Sequence, residues 1–173
     1  MKADPGIVEV ERPVAPADRF AMVDSPIGPL VLIGNGQQLL GLHFSVPDWV
    51  GTTGLRDDPA AFAGVIDQLA EYFAGEREEF TVRLAPPGAG FNLRVWQALL
   101  TIPYGGTASY GRIAEQIGVP GSARAVGAAN HVNPISIIIP CHRVIGADGS
   151  LVGYGGGLRT KEFLLALEAP TLF

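Results

Sequence analysis

The segment Ala85-Pro86-Pro87-Gly88-Ala89-Gly90 constrains this chain more than any other feature. Two adjacent prolines lack backbone donors, so neither a helix interior nor a central strand can run through them. The stretch is read as a linker at 85–90 that divides 173 residues into two small domains, 19–84 and 91–173, with a flexible arm over 1–18. Charge changes sign at the same place. Residues 1–89 hold six basic against thirteen acidic side chains, and residues 90–173 hold six basic against four acidic. Either the first half is simply the more soluble, or only the second half meets a polyanion.

With 47% hydrophobic and 17% charged residues, the chain is too apolar for a disordered tail and too evenly mixed for a coiled coil. Its single cysteine excludes an intrachain disulfide. That cysteine and three scattered histidines (His43, His131, His142) make no zinc-ligand spacing, so neither a metal nor a cofactor is expected. No apolar run is long enough to span a bilayer, and Asp4, Glu9 and Glu11 stand where a signal peptide would carry lysines. A cytoplasmic protein without membrane contact is expected, in keeping with the free thiol.

Phe20–Val23, Pro29–Gly34 and Leu39–Ser45 read as short strands separated by turn formers, Val46–Gly54 as a loop, and Phe80–Leu84 as a further strand. Between them, Phe62, Val65, Ile66, Leu69 and Phe73 recur at helical spacing, with Gly75 as the stop. Beyond the linker, Phe91, Val95, Trp96, Leu99 and Leu100 predict a helix ending before Pro103. Ser109 can cap a helix bearing Tyr110, Ile113, Ala114 and Ile117. After Gly118-Val119-Pro120-Gly121, Ser122 can cap another running to about Asn130. Two helices across a four-residue Gly-containing turn have the form of a helix-turn-helix. The second is nearly smooth, with Ala123, Ala125, Gly127, Ala128 and Ala129 and one long side chain, Arg124. Such a helix can lie against a ligand or against the protein's own core. Ile135–Ile139 reads as a buried strand, Asp148-Gly149 as a hairpin turn, and Phe163, Leu164 and Leu167 as a closing helix ending near Glu168.

A lone cysteine is most often an inert small hydrophobe. Cys141, however, follows Pro140 and precedes His142 and Arg143. A thiol of pKa near 8.5 is largely protonated at neutral pH, and the thiolate is the nucleophile, so a base is needed. His142 is the nearest, directly or through a water. Adjacent strand residues face opposite ways, so the pairing requires the backbone to leave strand geometry there. An imidazole in this role is commonly oriented by a carboxylate. Glu168 stands one helical turn beyond Leu164, toward the inward face, at a C-terminus where a carboxylate needs compensation.

Ile139-Pro140-Cys141-His142-Arg143-Val144, preceded by Asn133-Pro134 and Arg124-Ala125-Val126-Gly127, resembles the active-site signature of the O6-alkylguanine-DNA alkyltransferases. The likeness is strong from Phe91 to Glu168 and looser before it, where Ser25-Pro26-Ile27-Gly28 also fits. It implies a mixed α/β (α+β) fold, with a ribonuclease H-like N-terminal domain and a winged-helix-like C-terminal domain containing the helix-turn-helix. It implies single-turnover transfer of an alkyl group from O6-alkylguanine, and from O4-alkylthymine as an extension, to Cys141. His142 would be the base, Glu168 its orienter and Asn133 the brace of the active-site turn. Tyr110, Val144, Tyr154 and Gly155 would form the guanine pocket. Arg124, Tyr110, Ser122, Ala123, Ala125, Ala128, Ala129 and Asn130 would meet double-stranded DNA through its minor groove, with Arg124 entering the base stack. The protein would act as a monomer, able to pack beside neighbours on DNA. His131 and Val132 stand where many relatives carry a basic or small residue, and the Cys/His pair of zinc-binding relatives is missing.

Three rival readings compete with this one; the one inside the resemblance, an alkyltransferase-like protein that binds lesions without repairing them, would lack a cysteine at the acceptor position, where Cys141 stands. A DNA-binding regulator would use Cys141 structurally, and a Cys-His hydrolase would turn over many substrates where the transferase acts once.

Overall fold

The computed structural model describes residues 18–170. They form two compact units, the first ending at Ala89 and the second beginning at Gly90.

The first unit is built on a sheet of order β3-β2-β1-β4. β1 (Arg19–Val23), β2 (Leu30–Gly34) and β3 (Leu39–His43) form an antiparallel meander. Its turns are closed by local side chains: Ser25 Oγ accepts the Ile27 N–H, and Asn35 Oδ1 accepts those of Gln37 and Gln38. Leu30, Val31, Leu32 and Ile33 are all buried, so both sheet faces are covered. One face packs Val31, Ile33 and Leu40 against Val50, with Phe20 and Leu55 partly buried beside them. α1 (Ala63–Phe73) buries Leu69 and Tyr72.

The structure departs from the sequence reading in three places. Phe62, the first residue of the helical spacing, closes a 3-10 turn over Pro59–Phe62, and the α-helix proper begins at Ala63. A two-residue strand, β4 (Arg56–Asp57), pairs parallel with β1 although its charged residues carry no strand pattern. The strand expected over Phe80–Leu84 is reduced to one bridge, Leu84 to Leu39. Its backbone is claimed elsewhere: Gln68 of α1 accepts the Thr81 N–H at 2.9 Å and donates to its hydroxyl at 2.9 Å. The arm expected over residues 1–18 lies outside the described residues except for Asp18, which is buried.

The second unit packs α2 (Gly90–Leu99), α3 (Tyr110–Gln116), α4 (Ala123–His131) and α5 (Leu158–Glu168) around a 3-10 turn at Cys141–Arg143. Gly90, assigned to the linker from the sequence, is the first residue of α2. The Trp96 indole N–H donates to the Ala129 carbonyl at 2.9 Å, fixing α2 on α4. α3 and α4 form the helix-turn-helix, and their connection needs a left-handed backbone at Gly118 (φ 79°) and Gly121 (φ 84°). Ser109 caps α3 by accepting the Arg112 N–H. Ser122 occupies the N-cap of α4, but its side chain makes no capping bond. β5 (Ala108–Ser109) and β6 (Val144–Ile145) pair in parallel. The turn at Asp148-Gly149 is closed by the Gly146 N–H donating to the Ser150 carbonyl at 2.8 Å, but among the described residues no strand follows it to complete a hairpin.

The expected strand over Ile135–Ile139 is instead a tight series of turns. Asn133 Oδ1 accepts the Ile135 N–H at 3.0 Å, Asn133 Nδ2 donates to the Ile139 carbonyl at 2.9 Å, and the Ile139 N–H returns to the Ile135 carbonyl at 3.0 Å. One side chain thus does what a neighbouring strand would have done. Ile137 is forced to φ 71°, an unfavourable region for a β-branched residue, and is held there by burial. An apolar run alone does not distinguish a strand from a buried turn. Among the described residues, no helix is long and apolar enough to cross a membrane.

Candidate active site and DNA-facing surface

Cys141, His142 and Arg143 form a single 3-10 turn between Pro140 and β6, the departure from strand geometry that a Cys-His pairing requires. All three are buried. Asn133 and Asn130 hold this turn from behind, the latter donating from Nδ2 to the Cys141 carbonyl at 3.3 Å.

His142 Nε2 lies 2.7 Å from Glu168 Oε1, and both side chains are within 1% of complete burial. The carboxylate accepts, so Nε2 carries the proton and Nδ1 offers a lone pair. Nδ1 is buried and has no protein partner. Burial pushes the imidazole below its ordinary pKa; the bond and charge of Glu168 oppose this, and Arg143 and Lys161 add to it. The result is a neutral ring.

Glu168 also receives Arg143, whose Nε donates to Oε2 at 2.8 Å and Nη2 to Oε1 at 2.9 Å. Burial works against ionisation of Glu168. The hydrogen bonds from His142 and Arg143, and then their charges, overcome it and hold the carboxyl at about 2. The remaining arm of Arg143 donates to the Ile102 carbonyl at 2.7 Å, and its guanidinium lies 5.9 Å from the centre of the Tyr104 ring.

Burial pushes the Cys141 thiol up, while Asn133, the Lys161 charge, a backbone amide and the Tyr154 hydroxyl pull it the other way. The resting group is therefore a protonated thiol surrounded by groups that favour its anion. Lys161 is wholly buried on α5 and donates from Nζ to the Val144 carbonyl at 2.6 Å and the Val152 carbonyl at 3.0 Å. It ties β6 to the glycine-rich loop ahead of α5.

That loop and α4 enclose a pocket of about 410 Å³. Tyr110, Arg124, Asn130, Val152, Tyr154 and Gly155 are among its lining residues, and the Tyr110 hydroxyl donates to the Val152 carbonyl at 3.4 Å. Val144 is buried beside the catalytic turn. Of the residues the resemblance places on DNA, Arg124, Ala125 and Ala128 are exposed, and Ser122 and Ala123 are half-buried. Ala129 and Asn130 are buried: the Ala129 carbonyl receives the Trp96 indole, and Asn130, which lines the pocket, donates to the Cys141 carbonyl. Among the described residues, no group of three or more His, Cys, Asp or Glu could hold a metal ion.

Sequence reasoning passed over Arg143 and Lys161 as site residues. The available signal was a guanidinium directly after a Cys-His pair, and a lysine three residues before Leu164 on the inward face of the closing helix.

A helical unit that presents a helix-turn-helix beside a buried cysteine and a carboxylate-held imidazole defines a DNA-binding protein with thiol chemistry. Two family profiles sharpen this: residues 19–86 match the 6-O-methylguanine DNA methyltransferase ribonuclease-like domain, and residues 90–170 match the DNA binding domain of the same family. The methylated-DNA–protein-cysteine methyltransferase of Mycobacterium tuberculosis strain H37Rv is 57% identical over 150 residues, covering 86% of this chain and 91% of the relative. That of Methanosarcina acetivorans is 50% identical over 157 residues, covering 86% and 97%. The crystal structure of M. tuberculosis OGT in complex with DNA superposes with a TM-score of 0.81 at 57% identity, covering 88% of this chain and 95% of that one. The chain belongs to the 6-O-methylguanine DNA methyltransferase family. Its activity is DNA repair by transfer of an alkyl group from methylated DNA to a protein cysteine.

Proposed function

We propose that Cys141 is the alkyl acceptor, that His142 is its base, and that the protein acts once per chain on a base drawn out of duplex DNA. The observation that carries this reading is that Glu168 holds His142 Nε2 and leaves Nδ1 without a partner, on the residue that directly follows the only cysteine of the sequence. His142 Nδ1 takes the thiol proton, directly or through a water. The thiolate attacks the alkyl carbon, the carbon–O6 bond breaks, and its electrons leave with the guanine, which takes up a proton. The product is a thioether. It has no ester to hydrolyse and the chain has no second cysteine to resolve it, so turnover stops.

A thiol this deeply buried cannot reach a base inside a helix, and the target must be extruded. The pocket between Tyr110, Tyr154 and Gly155 supports that reading as the place for the base, and the resemblance adds Val144 to its wall. Arg124, exposed at the start of α4, fills the gap in the stack and offsets part of an unstacking cost of a few kcal/mol. Ala125 and Ala128, with Ser122 and Ala123, give α4 a surface that can approach the shallow minor groove closely, where base readout is degenerate. Asn133 keeps the turn in place. O4-alkylthymine falls within the same chemistry, and a monomer suffices for it.

The test is mass spectrometry of the protein after incubation with an O6-methylguanine duplex. One added methyl group on the peptide containing Cys141, with a stoichiometry that stops at one per chain, is expected. Repeated turnover, or a methyl group elsewhere, refutes the acceptor assignment.

A further inference from the structure

Arg143 is a buried cation one residue beyond the base, and the chemistry proposed above gives it no task. It uses four contacts to stay where it is: two to Glu168, one to the Ile102 carbonyl, and the face of Tyr104. The contact that matters for the reaction is shared. Glu168 Oε1 accepts from His142 Nε2 at 2.7 Å and from Arg143 Nη2 at 2.9 Å. An anion with histidine as its sole partner favours the imidazolium, because a buried charge is most readily neutralised by moving a proton onto its partner. An imidazolium has no lone pair at Nδ1 and cannot receive the thiol proton.

We propose that Arg143 is a positioning residue for the transfer: by engaging both oxygens of Glu168 it supplies the carboxylate's counter-charge, so that His142 is oriented by Glu168 yet remains the neutral ring with Nδ1 open. This rests on the reading of His142 as the base. The groups acting on His142 are few. α5 brings Glu168 and Lys161, and the turn itself brings Arg143. α2, which also packs on the turn, brings no ionisable group to bear. Removing Arg143 therefore changes one of two cations near the ring and leaves the anion in place. Lys161 faces the Val144 and Val152 carbonyls and cannot substitute for the lost pair.

The experiment measures two quantities on Arg143→Met: the protonation of the His142 ring, by NMR titration of the imidazole in the full chain without substrate, and the pH profile of single-turnover transfer from an O6-methylguanine duplex. Loss of a facing cation at this range raises the His142 pKa by about 1–3 units, and the acidic limb of the rate profile moves up by the same amount. Arg143→Lys, which keeps the charge but loses the fork, leaves the ring titration near that of the wild type. Should Arg143→Met fail to fold, the charge-neutral double variant Arg143→Met/Glu168→Gln removes the unpaired anion, and its His142 must titrate no higher than in the wild type. An unshifted ring titration in Arg143→Met, or a double variant with a raised one, overturns the proposal. A raised ring pKa with an unmoved rate profile supports the role of Arg143 and removes His142 as the base, so the two claims fail separately.

Discussion

The two units solve the problem of burial in opposite ways. In the first, the interior is a sheet whose β2 residues are all apolar and fully covered, and among the described residues its only buried charged or polar side chain is Asp18. In the second, Asn130, Asn133, Ser136, His142, Arg143, Lys161 and Glu168 are all buried with the apolar core. Apolar burial stabilises a unit without regard to detail, whereas a buried polar network is stable only if nearly every member is paired. On the proposed reading of the site, the second unit accepts that constraint because a thiol that must give up its proton, a neutral imidazole and a carboxylate have to be held in place together. Among the described residues, His142 Nδ1 and Asn130 Oδ1, both in this unit, are buried without a hydrogen-bond partner, and the proposed function gives the first of them a task.

The sharpest way to test this contrast is Cys141→Ser. The change is nearly isosteric, so fold and DNA binding persist, while transfer falls to zero because a hydroxyl is a far poorer nucleophile than a thiolate. Any residual methyl incorporation in a single-turnover assay would break the assignment of chemistry to the second unit.

Next in size are His142→Ala and Glu168→Gln. Each should slow transfer by roughly 10²–10⁴-fold, as expected for loss of general-base assistance. The double variant should be little slower than the worse single one, since coupled groups are not additive. Multiplying losses would reduce Glu168 to a structural role.

Glu168→Gln also sharpens the contrast in stability. The variant leaves Arg143 as a buried charge without its partner, a loss of about 3–5 kcal/mol at neutral pH. The folded Glu168 carboxyl, at about 2, lies below its ordinary value of 4.5. Its contribution is therefore complete above pH 4.5 and is lost as pH falls through about 2. Denaturant titrations of both proteins should converge over that window, and a constant gap would contradict the buried-pair account.

Leu32→Ala, in the first unit, should destabilise by about 2–5 kcal/mol through a cavity. That loss should show no such pH dependence and should leave the transfer rate of the folded protein unchanged. A rate loss at temperatures where the variant is folded would show that the division of labour is incomplete.

The smallest change is expected from Arg124→Ala. Repair of duplex DNA at saturation should slow about tenfold, the loss of roughly 1.4 kcal/mol of support for the extruded base. Reaction with free O6-benzylguanine, which needs no extrusion, should be unchanged. Equal slowing on both substrates would point to a disturbed catalytic turn.

Much of this was legible in the sequence. The meander came from alternating turn formers and apolar runs, and the helix pair from Ser109 and the Gly118–Gly121 interruption. The candidate nucleophile followed from being the only cysteine, next to a histidine. These are local signals, carried by residues a few positions apart. Two of the misread segments are places where a side chain took over backbone hydrogen bonding: Asn133 at Ile135–Ile139, and Gln68 at Thr81. Neither bond leaves a periodic trace.

By itself, then, the sequence determined the sign of charge in each half, the place where the chain divides, the presence of one thiol with an adjacent imidazole, and the inward side of the closing helix. Only the tertiary structure decided that Arg143 and His142 meet on the same oxygen of Glu168, 25 and 26 residues away, that Lys161 spans Val144 and Val152, and that Ala129 and Asn130 are buried while Ala125 and Ala128 of the same helix are exposed. The physical reason is range. Propensity and hydrophobic period act within a turn or two of chain, whereas the pairing of a buried charge is settled by whichever partner the packed core brings within three ångströms or so.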